Sequence, residues 1–146
     1  MNDSAVLEAN EAFYQAFAHR DFQAMDRLWS KESEVACIHP GWAPIFGREM
    51  VMASWQGILG NPRSPAITCR QPRAFLQGDN AFVVCFEDLG GVFLIATNSF
   101  RRETGGWKLI HHQAGPAPEA VAEEAAGEEE EDEDEQDSPP GSGRLH

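Results

Sequence analysis

Basic residues are scarce in this chain. Eleven Lys and Arg stand against 24 Asp and Glu, a formal charge of −13. The imbalance is local: residues 119–146 hold 12 of the acidic residues and one basic residue and so carry −11, which leaves the first 118 residues at −2. Without clustered Lys and Arg there is no footprint for DNA or RNA, whose binding needs cations that displace counterions. No nucleic-acid partner is predicted. Cysteine is nearly as rare. Cys37, Cys69 and Cys85 are an odd number with no C-x-x-C spacing, which argues against a disulfide framework or a zinc ribbon and fits a reducing cytoplasm. Cys69 and Cys85 read as small buried hydrophobes. No apolar run approaches the roughly 18 residues of a membrane span, and the N-terminus lacks the basic-then-apolar pattern of a signal peptide. The expectation is a soluble cytoplasmic protein without a membrane partner.

What remains is enough for one domain, since 146 residues can bury a core without disulfide or metal staples. From Glu119 the sequence becomes AVAEEAAGEEEEDEDEQDSPPGSGRLH, with almost no apolar residues to offset ordering entropy and a block of like charges. We therefore expect a domain over 1–118 and a disordered acidic tail over 119–146, either a solubilising extension or a handle for a basic partner. Within the domain, Val6, Ala9, Phe13, Ala16 and Phe17 recur at helical spacing behind the capping candidates Asn2, Asp3 and Ser4. Asp21 is the expected N-cap of a short second helix carrying Phe22, Met25, Leu28 and Trp29 on one stripe. SEVACIHP reads as a strand, halted by Pro40-Gly41 and Pro44, and a loop leads to a third helix, GREMVMASWQGILG, stopped by Pro62. The rest is strand material cut by turn residues: AITCRQPRAFLQ, AFVVCFEDL, VFLIATNSFRRE and WKLIHHQA. Four strands with short loops and no intervening helix make an antiparallel meander, which three helices must cover on one face. If Phe100 points inward, alternation turns Asn98, Ala96 and Leu94 inward as well.

Three pieces of the chain, AFYQAFAHRDFQAMDRLW, CIHPGW followed by FGREMVMASW, and TNSFRRETGGWKLIHHQ, together resemble the nuclear transport factor 2-like superfamily, in its SnoaL-like, ketosteroid-isomerase-like branch. The resemblance covers roughly residues 4–116. It implies an α+β cone, a curved antiparallel sheet wrapped around three N-terminal helices with a pocket between helices and sheet, and dimerisation through the outer sheet face. The fold alone does not define the chemistry, because this cone hosts isomerases, cyclases, dehydratases, transport adaptors and oligomerisation modules.

In the isomerases of that branch a carboxylate general base precedes the proline after the first strand; here His39 precedes Pro40. An unperturbed imidazole titrates near 6.5 and can act as a base at neutral pH. The other reading of His39 is a residue that bonds a carbonyl and holds the loop. The strand acid of those isomerases falls on Asn98, whose amide could stabilise an oxyanion, and their oxyanion-binding tyrosine falls near Tyr14, the only tyrosine. His111 and His112 must face opposite sides of the sheet, so one of them lines the pocket. Trp42, in the mouth loop, is the tryptophan credited with ligand contact; Trp29 and Trp55, like Tyr14, are candidate contacts that core packing also explains. Glu87 and Asp88 diverge on a strand and read as a solvated strand end. A zinc site of His39, one of the paired histidines and Cys37 or Glu87 is conceivable in donor chemistry, but no short ligand spacing supports it, so neither a metal nor a cofactor is predicted. The candidate activity is a cofactor-free isomerase, cyclase or dehydratase with His39 as general base, acting on a hydrophobic or partly polar small molecule. The alternative is a non-catalytic dimeric binding or assembly module.

Overall fold

Residues 3–118 are described by a computed structural model. The expected acidic tail, 119–146, and the capping candidate Asn2 lie outside the described residues. Two helices open the chain, α1 (Ser4–Ala18) and α2 (Phe22–Leu28), followed by β1 (Ala36–Ile38), β2 (Ile45–Phe46), α3 (Arg48–Gly60) and four long strands, β3 (Thr68–Gln77), β4 (Asn80–Asp88), β5 (Phe93–Glu103) and β6 (Gly106–Pro116). No helix of the described residues is long and apolar enough to cross a membrane.

The six strands form one curved, unclosed sheet in the order β2-β1-β6-β5-β4-β3. From β3 to β6 it is the antiparallel meander expected from the turn spacing. The sheet as a whole is mixed, because β1 runs parallel to β6, with Cys37 opposite His112. The segment expected as a plain loop after β1 contains the two-residue strand β2, which pairs Phe46 with Ala36 and Ile45 with Cys37. Such a short pairing rests on tertiary placement and has no periodicity of its own. Asp21 caps α2 as expected, its carboxylate accepting from the Ala24 N–H at 3.1 Å. Asp3 occupies the N-cap of α1 in a helical conformation without a side-chain cap bond.

On β5, Phe100, Asn98 and Ala96 are buried and face the helices, while Thr97 and Ser99 turn to the other face. β4 alternates likewise, with Ala81, Val83, Cys85 and Glu87 inward. The helices close over this face with Phe13 from α1, Met25 from α2 and Trp55 from α3, all fully buried. Burial of such large apolar groups at roughly 25 cal/mol per Å² is the main drive to this arrangement. The core fills one end of the cone and stops short of the other, where the site lies.

Candidate functional site

The chain turns sharply after β1 because Pro40 cannot continue the strand ladder and Gly41 takes a left-handed φ of +81°. That turn, closed by the Trp42 N–H donating to the His39 carbonyl at 2.9 Å, holds the His39 ring under α3. A cavity of about 660 Å³ opens between α1, α3, the 61–67 segment and the inner sheet face. Its walls are apolar, with Ile58, Ile67, Leu89 and Leu94 prominent, and half-exposed Trp42 stands at the entrance. Three ionisable side chains from separate segments meet this cavity: His39, Glu87 from β4 and His112 from β6, each no more than 3% exposed.

Behind them a hydrogen-bonded network fixes their orientation. Asn98 donates through Nδ2 to Asn10 Oδ1 at 2.9 Å and to the Tyr14 hydroxyl at 3.0 Å. Its Oδ1 must therefore accept, and the partner is His112 Nδ1 at 2.5 Å. The His112 proton thus sits on Nδ1, and Nε2 keeps its lone pair, 3.9 Å from Glu87 Oε2. The Tyr14 hydroxyl donates to Glu87 Oε2 at 2.7 Å, and the Cys85 thiol lies 3.3 Å from the same hydroxyl. On the other side, Ser54 donates to the Val51 carbonyl at 2.6 Å, so His39 Nε2, 3.0 Å from Ser54 Oγ, is the donor of that pair. The accepting lone pair of His39 is then on Nδ1, with the Cys37 thiol 3.9 Å from it. Its ring is held edge-on against Trp55 and Trp42, each with centroids 4.8 Å away.

Burial sets the protonation states. It lowers His39 to about 4. His112 falls to about 3 through burial first and then the neighbouring His39 and His111. Both imidazoles are neutral at pH 7. Burial raises Glu87 to about 7, against the opposing hydrogen bond from Tyr14. Glu87 and His112 form no ion pair, because the imidazole is uncharged at neutral pH and 3.9 Å is too far for a direct hydrogen bond. Environments that push titratable groups apart in this way are a recurrent mark of acid–base sites.

The site candidates separate into layers. His39, His112 and Trp42 line the cavity. Asn98 and Tyr14 lie one layer behind, and their hydrogens are committed within the network, so neither offers the oxyanion donor expected of it. Trp55 packs behind His39, and Trp29 is core that bridges to Leu109 on β6; neither contributes to the cavity lining. His111 faces away, with Nδ1 bonded to the Ala36 carbonyl at 3.0 Å. The reading of Glu87 as a solvated strand end is overturned: it is 2% exposed and central to the cluster, while Asp88, on the opposite face, pairs with Arg70 at 3.1 Å. Strand alternation through Val83 and Cys85 was the available signal, but Phe82, Val84 and Phe86 make the other face of β4 equally apolar. Asn10 and Ser54, on helix faces, gave no sequence signal. Among the described residues, no group of three or more His, Cys, Asp or Glu side chains is arranged to hold a metal ion.

A three-helix cone with an apolar cavity and buried ionisable groups along it defines an α+β protein of the nuclear transport factor 2-like superfamily. The chain belongs to the SnoaL-like domain family, whose model matches residues 6–118. No curated protein matches it. Among solved structures it is similar to a protein of the NTF2-like family from Streptomyces avermitilis, provisionally assigned as a dehydratase, with 34% identity, 79% of this chain and 95% of that one covered, and a TM-score of 0.72. It is also similar to a protein from Thiobacillus denitrificans, provisionally assigned as a calcium/calmodulin-dependent protein kinase type II association domain, at 33% identity over 75% of this chain and 93% of that one, TM-score 0.64. A provisional ketosteroid isomerase from Parabacteroides distasonis shares the fold at 19% identity, 77% and 85% coverage and a TM-score of 0.61.

Proposed function

We propose that the protein binds a hydrophobic or partly polar small molecule in this cavity and moves a proton on it without a cofactor, as an isomerase, cyclase or dehydratase would. The observation that carries the reading is the convergence of His39, Glu87 and His112 on an apolar cavity of about 660 Å³. Neutral His39 takes the proton through Nδ1, the base the sequence suggested. Glu87, half-protonated near neutral pH, returns one to the substrate oxygen or its leaving hydroxyl. Matching a group to the operating pH makes it useful in both directions, and such a step contributes typically 10²- to 10⁴-fold. The similarity to a provisional dehydratase at 34% identity supports this class.

β-Hydroxy ketones and β,γ-unsaturated ketones on cyclic apolar skeletons both give a conjugated enone, so one absorbance assay covers dehydration and isomerisation. Turnover by wild type that falls at least a hundredfold in both His39→Ala and Glu87→Gln supports the proposal. Turnover unchanged by either substitution overturns it. The assembly reading has its own support: the outer sheet face carries Phe75 stacked on Phe82 at 4.9 Å, beside Val84 and Phe86, and one relative at 33% identity is provisionally an association domain. We place a homodimer on that face, formed alongside the cavity and not in place of it.

A further inference from the structure

The buried end of the cavity is built from acceptors. His112 keeps a lone pair on Nε2 because Nδ1–H is spent on Asn98, and the remaining lone pair of His39 is on Nδ1, 3.9 Å from the Cys37 thiol, because Nε2–H is spent on Ser54. Glu87 presents its carboxyl 3.9 Å from His112 Nε2, and the hydrogens of Asn98 and Tyr14 behind it are committed to the network. Among the described residues, no Lys or Arg lines the cavity. A carboxylate ligand would therefore meet lone pairs with no countercharge. A primary ammonium presents three N–H donors on a compact cation and matches the neighbouring acceptors of Glu87 and His112, with His39 on the same cavity wall. Its countercharge would be the Glu87 carboxylate, paired with it away from water.

We infer that this cavity accepts apolar primary amines in their protonated form, with the ammonium seated among His39, Glu87 and His112 and the apolar portion against Ile58, Leu94 and Trp42. The inference rests on the reading of the cavity as a small-molecule site, not on catalysis there; an amine competes with a neutral substrate for Glu87. On binding, the Glu87 carboxyl releases its proton to the buffer and the ammonium keeps its own. Affinity then rises with pH through about 7, where Glu87 changes from acid to carboxylate.

The titratable groups facing Glu87 are Tyr14 from α1, Cys37 from β1, His39 from the turn after it, Cys69 from β3, Cys85 from β4 and His112 from β6. Burial raises Tyr14 and Cys37, while the hydrogen bond from Cys69 draws Cys85 down. Glu87→Gln separates the carboxyl from that thiol.

The test is calorimetry on the full chain with matched probes, cyclohexylmethylamine, cyclohexylmethanol and cyclohexanecarboxylate, and their naphthyl counterparts. The expected result is an order of amine, then alcohol, then carboxylate, with amine affinity about tenfold weaker at pH 6 than at pH 8. Close to one proton should be released at pH 6 and almost none at pH 8, read from buffers of different ionisation enthalpy. Glu87→Gln should remove the amine preference and its pH dependence. Alcohol at least as tight as amine, or pH-independent amine binding to wild type, overturns the amine inference and leaves the small-molecule reading standing. Binding of none of the six probes overturns both.

Discussion

His39 holds the cavity together as well as lining it. It is 3% exposed, bonded to Ser54 and wedged between two indoles, so His39→Ala should lower stability by about 1 to 3 kcal/mol in addition to its effect on ligand affinity. The sequence offered His39 as a general base or as a residue that holds the loop, and its burial makes it structural as well as a wall of the cavity. Trp42→Ala, half-exposed, should weaken ligand binding with little change in Tm, and the paired melts and titrations separate the two roles. Acid should act through the histidines. Both have folded values depressed below 6.5, so they contribute stability that is full above pH 6.5 and lost as pH falls toward 4 and 3, on the order of 3 kcal/mol each. Glu87 runs the opposite way. Its folded value is raised, so its contribution is full below 4.5 and lost as pH rises through 7, again on the order of 3 kcal/mol. Urea unfolding from pH 4 to 8 should therefore show His112→Asn flattening the acid side and Glu87→Gln gaining on wild type above pH 6. His39 was legible from its chain position, while strand alternation required one of His111 and His112 to face the cavity and left open which. Glu87 was not, because apolar residues on both faces of β4 leave the inward face unmarked.

At the element scale, the helices and the meander were readable from spacing and turn residues, since each buries one face and the four long strands are joined by glycine-containing turns. The β1–β6 parallel pairing and the two-residue β2 were not, because both depend on where α3 sets the chain down. The segment after α3 is held in a way no local pattern reveals. Arg20, at φ +55°, directs its guanidinium at the carbonyls of Leu59, Asn61, Pro62 and Ser64, at 2.5 to 3.3 Å. Asn61 and Ser64 line the cavity, so this one side chain fixes a wall of the site from outside it. Arg20→Ala should cost about 1 kcal/mol, since the contacts are solvent-exposed, and should speed amide exchange around Ser64 while leaving β4 and β5 protected. Uniform acceleration across the sheet would show that Arg20 supports the whole fold instead.

For the whole molecule, the family match ends at residue 118, where the composition changes. A chain ending at Pro118 should melt within about 1 °C of full length, because a segment of charge −11 with so few apolar residues has little to add to a core. A larger drop would show the tail packed against the domain. Light scattering at micromolar concentration should give a dimer, and Phe82→Lys, on the outer face, should give a monomer that keeps its fold. The open ends of the sheet carry a different consequence. An unclosed sheet exposes backbone donors and acceptors on its first and last strands, and those invite another chain to extend it into a filament. Here one border strand has only two residues, and the other is interrupted by Pro72, which lacks an N–H, beside Gln71 at φ +54° and a register shift between Arg70 and Arg73. The kink that looks like a flaw in β3 is a guard against fibril growth, and straightening it with a β-branched residue in place of Pro72 would trade that protection for a longer, more adhesive border.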